Sequence, residues 1–143
     1  MRGHGYGVTQ LKRLNNSFNR AVSAGIDGAI KIWDVSSGIC TGEFDDHESI
    51  AISRIAMNRR FLVSYSDQNN MLVIRDIEKG AQLLKISKFD DSLLPGFSGV
   101  QRSVYSPGKF EIGDIIADPD DPNILITSES KRIRLWDLRK CVI

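Results

Sequence analysis

A pattern of about forty residues recurs three times along the 143-residue chain and constrains its fold more than any other feature. Each copy has a short β-rich run, a small polar turn, and a second run that ends in an aromatic residue or Arg followed by Asp. The closing residues are Asp34, Asp76 and Asp137, which lie 42 and 61 residues apart, so the longer interval contains an insert of 19 residues. A repeat of this size predicts similar supersecondary units that stack on one another.

The residues within each copy favour β-strands. Ile30 and Ile32 alternate with Lys31, which is the period of two that a half-buried strand requires. Pairs such as Asp27-Gly28 form turns between the runs, and no segment has a convincing helical period. We therefore predict an all-β fold of four-stranded units. The strands are expected near 6–14, 20–25, 29–35 and 39–44, then 49–57, 60–66, 71–77 and 81–87, and finally 112–117, 124–128 and 132–138.

Two dipeptides mark the ends of the first copy. Gly3-His4 opens it and Trp33-Asp34 closes it, and the second copy repeats the interval between Asp46-His47 and Arg75 almost unchanged. With these marks the chain resembles the WD-repeat, or β-transducin-type, β-propeller family over nearly its whole length apart from the insert. The resemblance implies a partial WD-repeat β-propeller of about three four-stranded antiparallel blades that do not close into a ring.

The same resemblance implies a division of the chain into blades. Residues 1–46 form a complete first blade, 47–88 a degenerate second blade, 89–110 an inserted loop, and 111–143 a third blade with a truncated last strand. The 143 residues correspond to little more than three repeat periods, whereas propellers usually close with about four to eight blades. We therefore expect a fragment of a larger propeller, or a chain that needs a partner to close it.

The family's blades carry a buried chain of hydrogen bonds formed by Trp, Ser or Thr, His and Asp. The resemblance assigns this role to His4, Ser23, Asp27 and Trp33 in the first blade, His47 and Ser64 in the second, and Thr127 and Trp136 in the third. Arg75 replaces Trp in the second blade, and Ser130 stands where Asp is expected in the third. We therefore predict that the second and third blades are less rigid than the first.

Composition and motifs give no indication of catalysis. Lys and Arg number 19 against 18 Asp and Glu, and this balance argues against a nucleic-acid partner. The sequence has no run of about 20 apolar residues that could span a membrane. Both histidines, His4 and His47, belong to the repeat, and with Cys40 and Cys141 they lack any zinc-site spacing. We expect no enzyme activity, cofactor or metal, and read the two cysteines as free, buried thiols of a cytoplasmic or nuclear protein.

The insert carries more apolar side chains than a loop needs. It lies on the connection that WD-repeat propellers often use for partners, and its candidate partner-binding residues are Leu93, Leu94, Phe97 and Tyr105. These side chains either fold back over a blade edge or form a contact patch for another protein. The favoured function is therefore a non-catalytic scaffold for protein–protein interaction.

Two alternatives stay open at this point. Trp136-Asp137-Leu138-Arg139 is similar to the box by which some WD-repeat proteins dock onto the adaptor of a cullin-type ubiquitin ligase, which would make the chain a substrate receptor. Arg139 could equally pair with a neighbouring carboxylate. The chain could also be a regulatory propeller attached to an enzyme domain outside these residues.

Overall fold

Eleven β-strands make up the regular structure of residues 3–14, 19–87, 112–118, 120–129, 132–137 and 139, which the computed structural model describes. No α-helix occurs within these ranges. The strands are β1 Val8–Arg13, β2 Arg20–Gly25, β3 Ile30–Asp34, β4 Ile39–Phe44, β5 Arg54–Met57, β6 Phe61–Ser66, β7 Met71–Asp76, β8 Gln82–Ser87, β9 Ile112–Ala117, β10 Ile124–Glu129 and β11 Arg132–Asp137.

Each strand pairs antiparallel with the next strand of its own sheet. Sheet 1 is β1-β2-β3-β4, sheet 2 is β5-β6-β7-β8, and sheet 3 is β9-β10-β11. Gly28, Gly38 and Gly80 lie in the hairpin turns with φ of 77°, 68° and 65°, a conformation that glycine adopts without steric cost. The predicted all-β fold of antiparallel units is confirmed.

Sheet 2 lies between the other two sheets. Val22 and Ile32 of sheet 1 pack with Ile55 and Leu62 of sheet 2 in one hydrophobic core. A second core joins the opposite side of sheet 2 to sheet 3 and includes Trp136. All six residues of β6 are buried as a result. Among the described residues the three sheets form an open stack rather than a closed ring.

Alternation along the strands gives every sheet two distinct faces. We call the face toward the preceding sheet the front face and the face toward the following sheet the back face. In sheet 2, Leu62 belongs to the core shared with sheet 1 and so lies on the front face. Its neighbour Val63 belongs to the core shared with sheet 3 and lies on the back face. Side chains two residues apart therefore meet the same neighbouring sheet.

The connection between β4 and β5 corrects the prediction of a strand over 49–57, because β5 begins only at Arg54. Glu48 and Ser49 lie in the left-handed region, with φ of 52° and 64°. The amide of Ser49 donates to Asp45 Oδ1 at 3.0 Å, which stabilises the turn. A Cβ on Gly28 would lie 2.7 Å from Ser49 Cα and from the Ile50 amide, so backbone packs on backbone here.

Candidate functional site

The first blade holds a continuous chain of four hydrogen-bonded side chains. Trp33 Nε1 donates to Ser23 Oγ at 2.8 Å, and Ser23 Oγ lies 2.6 Å from His4 Nε2. His4 Nδ1 lies 2.9 Å from Asp27 Oδ1. With indole donating to the hydroxyl, Ser23 donates to His4 and His4 donates to Asp27. The structure thus brings the four expected residues of blade 1 together, and the chain joins β2, β3, their turn and the segment before β1.

Gly25 makes room for this chain. A Cβ at residue 25 would lie 2.6 Å from His4 Nδ1 and 2.7 Å from Asp27 Oδ1. Burial raises the pKa of Asp27, but hydrogen bonds from His4, Ala29 and Gly5 outweigh it and leave the pKa below its ordinary value. Asp27 is therefore an ionised carboxylate, and its oxygens accept hydrogen bonds from the ring of His4 and from the amides of Gly5 and Ala29.

In the second blade an ion pair stands where the first blade has its indole. Arg75 Nε donates to Asp46 Oδ2 at 2.8 Å, and the guanidinium also bonds to Asp46 Oδ1. The Arg75 and Asp46 side chains are 13% and 7% exposed. The guanidinium carbon lies 4.2 Å from the centre of the Phe44 ring, close enough for a cation–π contact. The pair links β7 to the β4–β5 connection.

The remainder of the second blade lacks the acceptor that Asp27 supplies in the first. His47 Nε2 lies 2.7 Å from Ser64 Oγ, but His47 Nδ1 is buried without a hydrogen-bond partner. Ser66 occupies the position of Gly25, two residues beyond the hydroxyl residue of the strand, and its Oγ is also unpartnered. The pKa of His47 is lowered from 6.5 to about 4, chiefly by burial; the charge of Lys85 acts in the same direction, and Asp46 and Asp45 act against it. His47 is therefore neutral at pH 7.

The third blade keeps one link of the chain among its described residues. Trp136 Nε1 donates to Thr127 Oγ1 at 2.9 Å, and Trp136 is fully buried against sheet 2. The guanidinium of Arg134 lies 5.3 Å from the centre of the Trp136 rings. Ser130 lies outside the described residues. The lower rigidity expected of blades 2 and 3 stays a prediction.

The candidate partner-binding residues fall into two groups. Leu93, Leu94, Phe97 and Tyr105 lie outside the described residues. Arg139 is exposed, and its Nε and Nη2 donate to Asp137 at 2.8 and 2.7 Å. These bonds raise the pKa of Arg139 above its ordinary value. The guanidinium is therefore held by the aspartate of the Trp-Asp dipeptide itself.

Other chemistry has little support in the described ranges. Within them, no three His, Cys, Asp or Glu side chains are grouped to hold a metal ion. No helix in that part of the chain is long and apolar enough to cross a membrane. Cys40 is a free thiol but is partly exposed, which corrects the expectation of a buried one, because its strand lies at the outer edge of sheet 1. Cys141 lies outside the described residues.

The Asp46–Arg75 pair is the feature that sequence reasoning missed. Asp46 stands where the first copy has Gly3, and Arg75 stands where it has Trp33. Each difference is apparent when the two copies are aligned, but the alignment does not show that the two residues are in contact. The structure shows that the two substituted residues meet, since the charge of Arg75 on β7 pairs with the charge of Asp46 on the β4–β5 connection.

The stacked antiparallel sheets of four, four and three described strands and the Trp-Ser-His-Asp chain define a WD-type β-propeller blade array. The family model "WD domain, G-beta repeat" matches residues 1–34. Two solved structures share the fold: RRP9 WD40 repeats, with a TM-score of 0.71, and the Cps50 (Swd1) β-propeller domain of Myceliophteria thermophila, with a TM-score of 0.66. Each is 16% identical to this chain, and the chain covers 38% and 35% of their lengths while 99% and 94% of it is matched.

Curated proteins give the same result at the level of sequence. Nuclear distribution protein nudF of Emericella nidulans is 42% identical over 27% of this chain and 9% of its own length. Striatin-4 of Mus musculus is 26% identical over 97% of the chain and 17% of its own length. DENN domain and WD repeat-containing protein SCD1 of Arabidopsis thaliana is 22% identical over 96% of the chain and 13% of its own. The match to the WD-repeat family model is thus confined to residues 1–34, the whole chain has the fold of WD-repeat propellers, and it spans less than a fifth of these relatives.

Proposed function

We propose that the chain is a non-catalytic WD-repeat scaffold that presents its loops to other proteins as part of a larger propeller. The observation that carries this proposal is the use of both histidines. His4 Nε2 and His47 Nε2 each bond to a strand hydroxyl, at 2.6 and 2.7 Å, and the side chain of His4 is 1% exposed while His47 is fully buried. Polar side chains that recur in each repeat and already form internal hydrogen bonds indicate a structural role rather than a catalytic one.

Protein partners are the class that best fits this surface. The net charge is +1, which gives little long-range attraction for nucleic acid. Leu93, Leu94, Phe97 and Tyr105 remain the proposed anchors, because apolar and aromatic side chains on loops supply much of the energy in protein interfaces. The matches to nudF and striatin-4 agree with a cytoplasmic or nuclear location, which we include in the proposal.

Deletion of residues 90–106 tests this role. Recovery of identified partners is compared by quantitative pull-down between the native chain, the deletion, and the variant Leu94→Ser/Phe97→Ser. Loss of the same partners in both variants with an unchanged melting temperature is the expected result. Full partner recovery in both variants contradicts the proposed contact role, and a collapsed melting transition instead assigns the insert to packing.

A ubiquitin-ligase adaptor is the second candidate partner, on the observation that the Arg139 side chain is 62% exposed and held in place by Asp137. A substrate receptor of this kind would present the guanidinium to the adaptor. The substitution Arg139→Ala is expected to abolish co-purification of the adaptor while leaving the melting temperature unchanged. Recovery equal to that of the native chain rules out this docking mode.

A further inference from the structure

Three polar atoms in blade 2 are buried without a hydrogen-bond partner among the described residues. They are His47 Nδ1, Ser66 Oγ and Asn69 Oδ1. The residues His47 and Ser66 are each fully buried. Buried polar atoms in proteins are nearly always paired, either with another protein group or with an ordered water molecule. Three such atoms in one blade therefore point to a polar ligand.

Alignment with blade 1 places two of these atoms side by side. Both histidine rings bond a strand serine through Nε2, so they present Nδ1 in the same direction. In blade 1, His4 Nδ1 lies 2.9 Å from Asp27, and a Cβ added at Gly25 would lie 2.6 Å from the same nitrogen. Ser66 stands at the position of Gly25. Its Cβ and hydroxyl therefore extend from the backbone toward the ring nitrogen of His47.

Asn69 corresponds to Asp27, the acceptor in blade 1. Each residue directly precedes a turn residue with positive φ, which is Gly28 in blade 1 and Asn70 in blade 2. The turn of blade 2 is longer by one residue, because the paired residues that flank it are seven positions apart rather than six. The amide oxygen of Asn69 is buried but forms no direct bond to His47. A small ligand between the two residues would supply the missing contact.

The hydrogen-bonding character of these atoms defines the ligand. The hydroxyl of Ser64 lies 2.7 Å from His47 Nε2, and a hydroxyl that donates there leaves the proton of the neutral ring on Nδ1. His47 Nδ1 then donates, whereas Asn69 Oδ1 can only accept. A metal cation cannot accept from Nδ1, and a simple anion cannot donate to Oδ1. Water does both, and it can also bond to the hydroxyl of Ser66.

We propose that one buried water molecule binds between His47 Nδ1, Ser66 Oγ and Asn69 Oδ1 and completes the hydrogen-bonded chain of blade 2. Its three protein partners match the number that a buried water molecule typically has. The chain then runs from Ser64 through the ring of His47 and the water to Asn69, whereas the blade 1 chain reaches its aspartate directly. The site does not depend on which partner the scaffold binds.

A crystal structure of the chain, at a resolution that shows ordered water, tests the site directly. One water molecule is expected within about 2.7–3.2 Å of each of the three atoms. Electron density for a direct bond between His47 Nδ1 and Asn69 Oδ1, for an ion, or for no ligand at all overturns the proposal.

Nuclear magnetic resonance tests the site in solution. The carbon-bound proton Hε1 of His47 lies next to Nδ1 and should show a cross-peak to water with the NOE sign of a long-lived contact. Hε1 of His4 is the matched control, because that ring has the same serine bond at Nε2 but the Asp27 carboxylate at Nδ1, and its side chain is 1% exposed. Exchange of a serine hydroxyl with solvent would give the signal at both histidines. A cross-peak at His47 alone is the expected result, and one at both or at neither overturns the proposal.

Two substitutions of Ser66 separate the water from the hydroxyl beside it. Ser66→Ala removes the hydroxyl but leaves the space, so the cross-peak at His47 should persist with two partners for the water. Ser66→Val fills the space with methyl groups and should abolish the cross-peak. Circular dichroism checks that both variants stay folded. If the valine variant does not fold, the alanine variant still decides, because loss of the cross-peak in Ser66→Ala assigns the signal to the hydroxyl and overturns the proposal.

Discussion

Replacement of Arg75 by Ala is expected to be the most damaging single change in the second blade. It removes the guanidinium that pairs with Asp46 and leaves a carboxylate that is 7% exposed without its cation. Removal of one partner from a buried ion pair costs about 3–5 kcal/mol, and the contact with the Phe44 ring at 4.2 Å is lost as well. At roughly 2–4 °C per kcal/mol for a chain of this size, the melting temperature should fall by about 6–20 °C.

Urea denaturation at one fixed protein concentration measures the change in the free energy of unfolding. Arg60→Ala is the control, because the Arg60 side chain is 47% exposed and lies 3.5 Å from Asp76, and the Asp76 carboxylate still accepts from the amides of Glu78 and Lys79 when the guanidinium is removed. That variant should lose less than about 1 kcal/mol. The double substitution Asp46→Gly/Arg75→Trp, which restores the residues of the first blade, should cost less than Arg75→Ala alone. Equal losses for Arg75→Ala and Arg60→Ala would refute the reasoning.

Three further changes test the hydrogen-bonded chains. Gly25→Ala should lower the free energy of unfolding by about 1–3 kcal/mol in calorimetry, because its Cβ would lie 2.6 Å from the ring of His4. Gly3→Ala, with no atom within 4 Å of its Cβ, is the control and should be neutral. Equal melting temperatures for the two variants would contradict this. His47 has a pKa of about 4 in the folded state against 6.5 when unfolded, so the unfolded state takes up the proton first and stability should fall by up to about 3 kcal/mol as the pH drops from 6.5 to 4. His47→Gln should flatten that part of the stability–pH curve, and an unchanged slope would show that other groups cause it. Thr127→Val leaves a buried indole N–H without its acceptor and should cost about 1–3 kcal/mol in urea, and a loss below about 0.5 kcal/mol would contradict the role assigned to that bond.

Most strands were predictable because their alternation is local. Ile30 and Ile32 face one neighbour while Lys31 faces the other side, and the structure places β3 over Ile30–Asp34. The start of β5 was not predictable in this way. Ile50 and Ile52 alternate as in a strand, but the left-handed conformation at Glu48 and Ser49 redirects the chain. Neither Glu nor Ser favours that conformation, so the sequence does not predict it.

The hydrogen-bonded residues of blade 1 were predictable because the resemblance to WD-repeat blades assigns the role to His4, Ser23, Asp27 and Trp33. The role of Gly25 was not, because it depends on where an absent Cβ would point. The pairing of Asp46 with Arg75 was not identified either, because the sequence shows two substitutions 29 positions apart and only the fold shows that they meet. Long-range compensation of this kind follows from sheet register rather than from local pattern.

The contact of Gly28 with the Ser49–Ile50 backbone has a mechanical consequence. Side chains at an interface can adjust by changing rotamers. Gly28 has no side chain, and the Ser49–Ile50 backbone lies so close that a Cβ on residue 28 would be only 2.7 Å from it. The tilt of sheet 1 relative to sheet 2 is therefore fixed at the end of the stack where the β2–β3 turn lies. A change in that tilt would have to displace the backbone at Ser49 and Ile50 as well as side chains.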